Sequence, residues 1–219
     1  MFSIYMPPVK HLIVMSTADA PPHIQDTPRL GDADFIYSGL TGSDVQAIHD
    51  NALELFTELE LKAVSDTIYF ILGNYDTPAG DRDGPKDRLK DTRDAINDSP
   101  HPASAILLED LDETNEHWSN FYLKFRYTLI GTDYTFVIAE DNDGGHELEL
   151  GEVPLETTFI FKRDYATLAI DSDLEYEKYD AMMATLFDLM EENDHLARWT
   201  SPDELRTLVM NVVEQPLTD

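Results

Sequence analysis

Four short and nearly continuous apolar runs constrain the fold of this chain more than any other feature. They cover residues 67–73, 103–108, 134–139 and 157–161. Runs of this length without polar alternation are typical of strands buried on both faces of a parallel sheet. Helical patterns alternate with them along the chain. The sequence therefore predicts an α/β fold, a three-layer sandwich around a mainly parallel sheet of four to five strands.

Helical signals occur before, between and after these runs. A leading helix is predicted over residues 43–65, a polar helix from Pro85, and an amphipathic helix over residues 118–129. Beyond residue 171 the chain is predicted to be wholly helical, with a last helix that starts at the capping box of Ser201–Glu204.

The predicted organisation follows from these segments. Residues 1–42 are interpreted as an irregular or flexible segment, residues 43–65 as the leading helix, and residues 66–219 as the α/β domain with C-terminal helices. A stripe at helical spacing in the last part is expected to face the core. It consists of Tyr179, Met182, Met183, Leu186, Phe187 and Met190.

The charge balance excludes several classes of partner. The 219 residues carry 44 Asp and Glu against 15 Lys and Arg, and the formal net charge is −29. Such a field disfavours nucleic acid and anionic membranes. The acidic residues are spread over the whole chain, and we interpret them as adaptation to a salt-rich cytoplasm. No apolar run reaches the ~18 residues of a membrane span.

Metal and cysteine chemistry are not expected. The chain has no cysteine, which excludes disulfides, thiolate zinc sites and a cysteine nucleophile. Its seven histidines show no metal-ligand spacing, and no nucleotide-binding glycine motif or serine elbow is present. We therefore predict neither a metal nor a cofactor.

Polar residues follow the predicted strands, where ligands bind in parallel sheets. Gly73, Asn74 and Tyr75 end the first strand, and Asp110 follows the second. The third strand is followed by a glycine-flanked acidic stretch over residues 140–151, whose glycines would let backbone amides approach a ligand. Its candidate ligand-binding residues are Asp143, Gly144, Gly145, His146, Glu149 and Gly151.

The residues from Thr67 to Phe70, together with the stretch Asp143–Gly151, resemble nucleoside 2-deoxyribosyltransferases and the related Toll/interleukin-receptor-like NAD-cleaving domains. In those transferases a tyrosine of the first strand faces the substrate, a loop aspartate binds it, and a glutamate six residues later is the nucleophile. The resemblance implies these roles for Tyr69, Asp143 and Glu149. It also implies a homo-oligomer, because the transferases complete their sites across an interface.

The chain is similar as well to uncharacterised haloarchaeal domains of this group. The shared features are Gly73-Asn74-Tyr75, the pair Gly145-His146, and Arg198-Trp199 before a terminal helix. Together these resemblances imply binding of a nucleotide, nucleoside or NAD-like ligand, with N-glycosidic cleavage through Glu149. His146 is the one nearby group that titrates close to neutral pH.

Two alternatives remain open. The stretch after the third strand also fits a hairpin, with a turn at residues 142–145 and a strand over residues 146–153, which would leave Glu147 and Glu149 on a solvated face. The second alternative concerns function. The transferases carry a further aspartate before the third strand, whereas the corresponding residues 122–126 of this chain include no carboxylate. A non-catalytic module that senses a nucleotide or contacts another protein is therefore the competing function.

Overall fold

The fold is described from a computed structural model. It covers residues 67–75, 84–111, 121–140, 151–164 and 181–215, together with seven helical residues between positions 47 and 58. The chain divides into two units, Met1–Asn51 and Ala52–Asp219. The predicted N-terminal segment over residues 1–42 lies outside the described residues, and the account below concerns the second unit.

Five strands form one sheet in which every described pairing is parallel. Their spatial order is β2-β1-β3-β4-β5. The strands are β1 (Thr67–Gly73), β2 (Ala103–Ile106), β3 (Tyr134–Ala139), β4 (Thr158–Arg163) and β5 (Leu196–Trp199). The predicted α/β class with a parallel sheet is confirmed.

Four helices cover the two faces of this sheet. They are α1 (Pro85–Asn97), α2 (Phe121–Gly131), α3 (Ala181–Glu192) and α4 (Pro202–Glu214). Leu89 of α1 and Leu205 of α4 pack in the same core cluster as Ile71. On the opposite face, Phe125 of α2 contacts Phe70, the strand neighbour of Ile71. Because side chains alternate along a strand, the helices form the outer layers of a three-layer sandwich.

The face beneath α1 and α4 is dominated by aromatic rings. Phe136 lies at its centre, with ring centroids 4.6 Å from Tyr69, 5.9 Å from Phe159 and 5.2 Å from Phe161. The contacts with Phe159 and Phe161 are edge-to-face, the arrangement that aromatic quadrupoles favour. This row fixes the relative positions of β1, β3 and β4.

The signals that start two helices are confirmed. Pro85 occupies the first turn of α1, where its missing N–H costs no hydrogen bond. Ser201 caps α4, because its hydroxyl accepts a hydrogen bond from the Glu204 amide at 3.3 Å. Glu204 in turn accepts the Thr200 amide at 2.8 Å.

The prediction for the chain beyond residue 171 is wrong in two respects. Residues 196–199 form the strand β5 and not a helix. Met182, placed in the buried stripe, is 75% exposed, whereas Met183, Phe187 and Met190 are buried as expected. Within the described ranges, no helix is long and apolar enough to cross a membrane.

Candidate functional site

The strand order predicts a ligand-binding crevice at the carboxyl ends of β1 and β3. The chain runs from β1 to β2 on one side and then returns past β1 to β3 on the other. In open parallel sheets, ligands bind where the strand order reverses in this way, outside the carboxyl ends of the strands. Asn74 and Tyr75 follow β1 and Glu140 follows β3, so these residues border the crevice.

Four side chains form a compact group beside this crevice, which we call the carboxyl-edge cluster: Arg88, Glu140, Arg163 and Trp199. Ala139 pairs with Lys162 and Arg163 pairs with Trp199 in the sheet register, so the ends of β3, β4 and β5 lie side by side. Arg88 reaches the same place from the first turn of α1.

Glu140 is the centre of the carboxyl-edge cluster. Its side chain is only 2% exposed. The guanidinium of Arg88 donates to both carboxylate oxygens, from Nε to Oε1 at 2.6 Å and from Nη2 to Oε2. Arg163 Nη1 donates to Oε2 at 3.3 Å. Such a bidentate, charge-assisted contact fixes both groups, and its burial makes it insensitive to salt.

The ring of Trp199 lies beneath the guanidinium groups of Arg88 and Arg163. It is fully buried, and its indole Nε1 donates to the Phe161 carbonyl at 2.9 Å. The guanidinium carbons of Arg163 and Arg88 lie 5.2 Å and 5.9 Å from its ring centroid. Both distances fall in the range of cation–π attraction. Trp199 is therefore both part of the core and a contact surface for the two arginines.

Lysine and arginine are concentrated at this edge of the sheet. Ten of the chain's 15 lie among the described residues. Nine of these ten lie at the carboxyl end of a strand or in the first six residues of a helix that begins at this edge. The strand residues are Lys162, Arg163 and Arg198, and the helix residues are Lys86, Arg88, Lys90, Lys124, Arg126 and Arg206. The tenth, Arg93, directs its guanidinium to Asp110, which follows β2 at the same edge. A chain with net charge −29 thus has one edge rich in cations.

The cations of α1 also organise the neighbouring end of β2. Lys86 and Lys90 contact the two carboxylate oxygens of Glu109 at 2.6 Å and 3.5 Å. Partial burial opposes ionisation of Glu109, but the hydrogen bond and charge of Lys86, with Lys90, outweigh it and lower its pKa. Lys86 Nζ also lies 5.6 Å from the ring centroid of Tyr75.

A second arginine–carboxylate pair joins α2 to Glu152, the second described residue after Glu140. Arg126 Nη1, in the second turn of α2, donates to Glu152 Oε2. Burial, followed by the negative charge of Glu152, raises the pKa of the adjacent Tyr122. The stretch of residues 141–150 is therefore bounded at both ends by largely buried carboxylates, Glu140 and Glu152, each held by arginine.

Residues 21–217 match a family of unknown function, DUF8170. The chain belongs to this family. No curated protein and no solved structure matches it. The resemblance to nucleoside 2-deoxyribosyltransferases and Toll/interleukin-receptor-like domains therefore stays a prediction.

Among the predicted catalytic residues, the structure describes Tyr69. Its side chain is buried in the core, with its ring stacked on that of Tyr134 at a centroid distance of 5.6 Å. Burial, with smaller contributions from Tyr134 and Asp133, raises the pKa of Tyr69 to about 12, so the phenol is neutral at physiological pH. It precedes Gly73 by four residues, about 13 Å of strand, and lies well below the carboxyl edge. Asp143 and Glu149 lie outside the described residues.

Two other predicted ligand-binding residues have contacts within the protein. A Cβ on Gly73 would lie 2.7 Å from Leu89 Cδ2 and 2.8 Å from the Ile138 carbonyl oxygen, so the small residue here allows α1 and β3 to approach β1. Asp110 accepts the Leu107 amide at 2.8 Å and the Arg93 guanidinium, which holds the turn after β2.

Of the remaining predicted binding residues, the structure describes three. Asn74 and Tyr75 lie at the crevice, half-buried. Gly144, Gly145 and His146 lie outside the described residues. Gly151 is helical, as is Glu152.

The hairpin alternative fails over the residues that can be checked. It requires a strand over residues 146–153, but Gly151 and Glu152 are helical. In addition, β3 pairs with β1 and β4, both in parallel. Glu140 thus follows a central strand of the sheet. Within the described ranges, no three histidine or carboxylate side chains converge as metal ligands.

The carboxyl-edge cluster is the feature that the sequence reasoning missed. Arg88 and Glu140 are 52 residues apart, and only the sheet register brings Arg163 beside them. One signal was available: residues 82–93 hold five of the 15 lysines and arginines of a very acidic chain. The same segment holds three aspartates, so it carries a local excess of two positive charges in a strongly acidic chain.

Proposed function

We propose that the protein binds a nucleotide, nucleoside or NAD-like ligand in the crevice between the carboxyl ends of β1 and β3. The strand order supports this location, because the crevice lies at the point where that order reverses. The partly buried Asn74 and Tyr75 offer an amide and an aromatic ring to such a ligand. The resemblance to nucleoside-cleaving families supports the class of ligand.

The concentration of cations at this edge is the observation that carries the proposal. A chain with net charge −29 repels anions at long range. Screening limits that repulsion to about 8–10 Å at moderate salt, so a bound anion responds mainly to its immediate neighbours. Those neighbours include Arg163 and Lys86, whose side chains are 24% and 32% exposed.

Cleavage of the ligand is the second part of the proposal and rests on Glu149. Its carboxylate would form a bond to the anomeric carbon while the bond from that carbon to the base nitrogen breaks. The base leaves with the bonding electrons and takes up a proton, and water then hydrolyses the glycosyl ester. Asp143 would bind a sugar hydroxyl, whereas Tyr69 lies in the core below the carboxyl edge and does not reach this site. The non-catalytic sensing module is the alternative.

A single pair of assays separates these functions. We expect calorimetric binding of at least one nucleoside, nucleotide or NAD, and chromatographic detection of released base or nicotinamide. Glu149→Gln should abolish base release while retaining binding, because the amide keeps the shape but is a poor nucleophile. Equal release by both proteins would remove Glu149 as the nucleophile. Binding without release by the wild type would favour the sensing module, and absence of binding would contradict the proposal.

We further propose that the acidic surface suits a salt-rich cytoplasm. We expect the melting temperature to rise between about 0.01 M and about 1 M KCl, over which the Debye length falls from about 30 Å to about 3 Å. If screening removes about 3 kcal/mol of repulsion between the acidic side chains, the melting temperature should rise by about 6–12 °C in a chain of this size. Calorimetry in KCl and in NaCl measures this, and the two salts should act alike if screening is the cause. A flat or falling melting temperature would contradict it.

A further inference from the structure

Arg163 differs from the other members of the carboxyl-edge cluster in its exposure. The side chains of Arg88 and Glu140 are 9% and 2% exposed, and Trp199 is fully buried. The side chain of Arg163 is 24% exposed. It ends β4 beside Glu140, the residue that follows β3 at the crevice. Arg163 is therefore the member of the cluster best placed to reach a molecule in the crevice.

The charges within the cluster are unequal in number. Two guanidinium groups face the single carboxylate of Glu140. Arg88 donates to both oxygens of that carboxylate, and Arg163 donates to Oε2 at 3.3 Å. The four side chains of the cluster thus include two cations and one anion.

The orientation of Arg163 is also fixed before any ligand arrives. Its guanidinium lies over the Trp199 ring at 5.2 Å from the centroid and is held by Glu140 at one edge. A planar guanidinium presents paired donors that match the oxygens of a phosphate. Because the side chain is already ordered, little conformational entropy is lost when it binds.

We propose that the ligand of the crevice carries a phosphate group and that Arg163 is the residue that selects for it. This inference rests on the proposed function and narrows it to nucleotides over uncharged nucleosides. Glu140 and Trp199 act as positioning residues that hold the guanidinium toward the crevice.

The test compares the four common ribonucleoside 5′-monophosphates with the matching nucleosides by calorimetry on the full chain. For at least one base, we expect the monophosphate to bind about tenfold to hundredfold more tightly, the range of one or two charge-assisted hydrogen bonds. Inorganic phosphate should compete with the monophosphate but not with the nucleoside. Equal affinities of wild type for a nucleoside and its monophosphate would overturn the inference while leaving the proposed function intact.

Variants then assign the selectivity to a residue. Arg163→Gln should bring the monophosphate to the affinity of the nucleoside, and Arg163→Lys should retain part of the preference because it keeps the charge without the paired donors. Arg206→Gln removes an exposed cation at the same edge but outside the carboxyl-edge cluster, and an equal loss of preference in that variant would overturn the specific role of Arg163. Retention of the full preference by Arg163→Gln would overturn the role of Arg163. Absence of binding by wild type to every nucleotide and nucleoside would overturn the proposed function together with the inference.

Discussion

Replacing Glu140 by glutamine is expected to lower the free energy of unfolding by about 3–5 kcal/mol, the usual cost of removing one partner of a buried ion pair. The change leaves the guanidinium groups of Arg88 and Arg163 in place without the carboxylate that both contact. Urea denaturation followed by circular dichroism measures the effect.

Glu191→Gln is the matched control for this change. Glu191 also pairs with an arginine, Arg198, at 2.9 Å, but both side chains are exposed. Exposed pairs contribute about 0–1 kcal/mol, and salt screens them. The gap between the two variants should therefore persist in molar KCl. Similar losses in both variants would show that the carboxyl-edge cluster does not stabilise the fold.

Replacing Trp199 by alanine is the second change expected to have a large effect, about 3–5 kcal/mol of unfolding free energy. The indole is fully buried, lies beneath two guanidinium groups and donates to the Phe161 carbonyl. Its removal leaves a cavity in the core and removes this hydrogen bond. Trp199→Phe should cost less, because a ring remains beneath the cations while the hydrogen bond is lost.

Phe121→Ala provides the comparison for an aromatic residue outside the core. Phe121 starts α2 and is 57% exposed, so its removal should change the unfolding free energy by no more than about 0.5 kcal/mol. Thermal unfolding followed by circular dichroism serves all three variants without relying on tryptophan fluorescence. A loss below about 1 kcal/mol for Trp199→Ala would mean that the ring is not packed as described.

The central strands could be predicted from the sequence because a strand buried on both faces appears as a continuous apolar run. The bounds of β1 and β3 agree with the predicted runs at residues 67–73 and 134–139. β5 shows no continuous apolar run, since it has only four residues and its third, Arg198, is exposed. The helical periodicity up to Met190 and the helix cap at Ser201 predicted helix on both sides, so the short strand between them was predicted to be helical as well.

The candidate site could be predicted only in part for a related reason. The ends of the apolar runs identified Asn74 and Tyr75, because a strand end is a local property of the chain. The order of strands and their register are not local, and they decide which side chains meet. Thus the sequence could not indicate that Arg88, Glu140 and Arg163 form one cluster. Arg88 lies in a predicted helix, whereas Glu140 and Arg163 come one and two residues after predicted strands.

Hydrogen exchange in the presence of a ribonucleoside 5′-monophosphate shows where on the sheet the ligand binds. We expect slower amide exchange in peptides that contain residues 73–75, 140 and 163–164, at the carboxyl ends of β1, β3 and β4. Peptides that contain residues 98–102 and 132–133, which precede β2 and β3 at the opposite edge, should exchange as before. Protection confined to that opposite edge, or no protection at a saturating nucleotide concentration, would contradict the account.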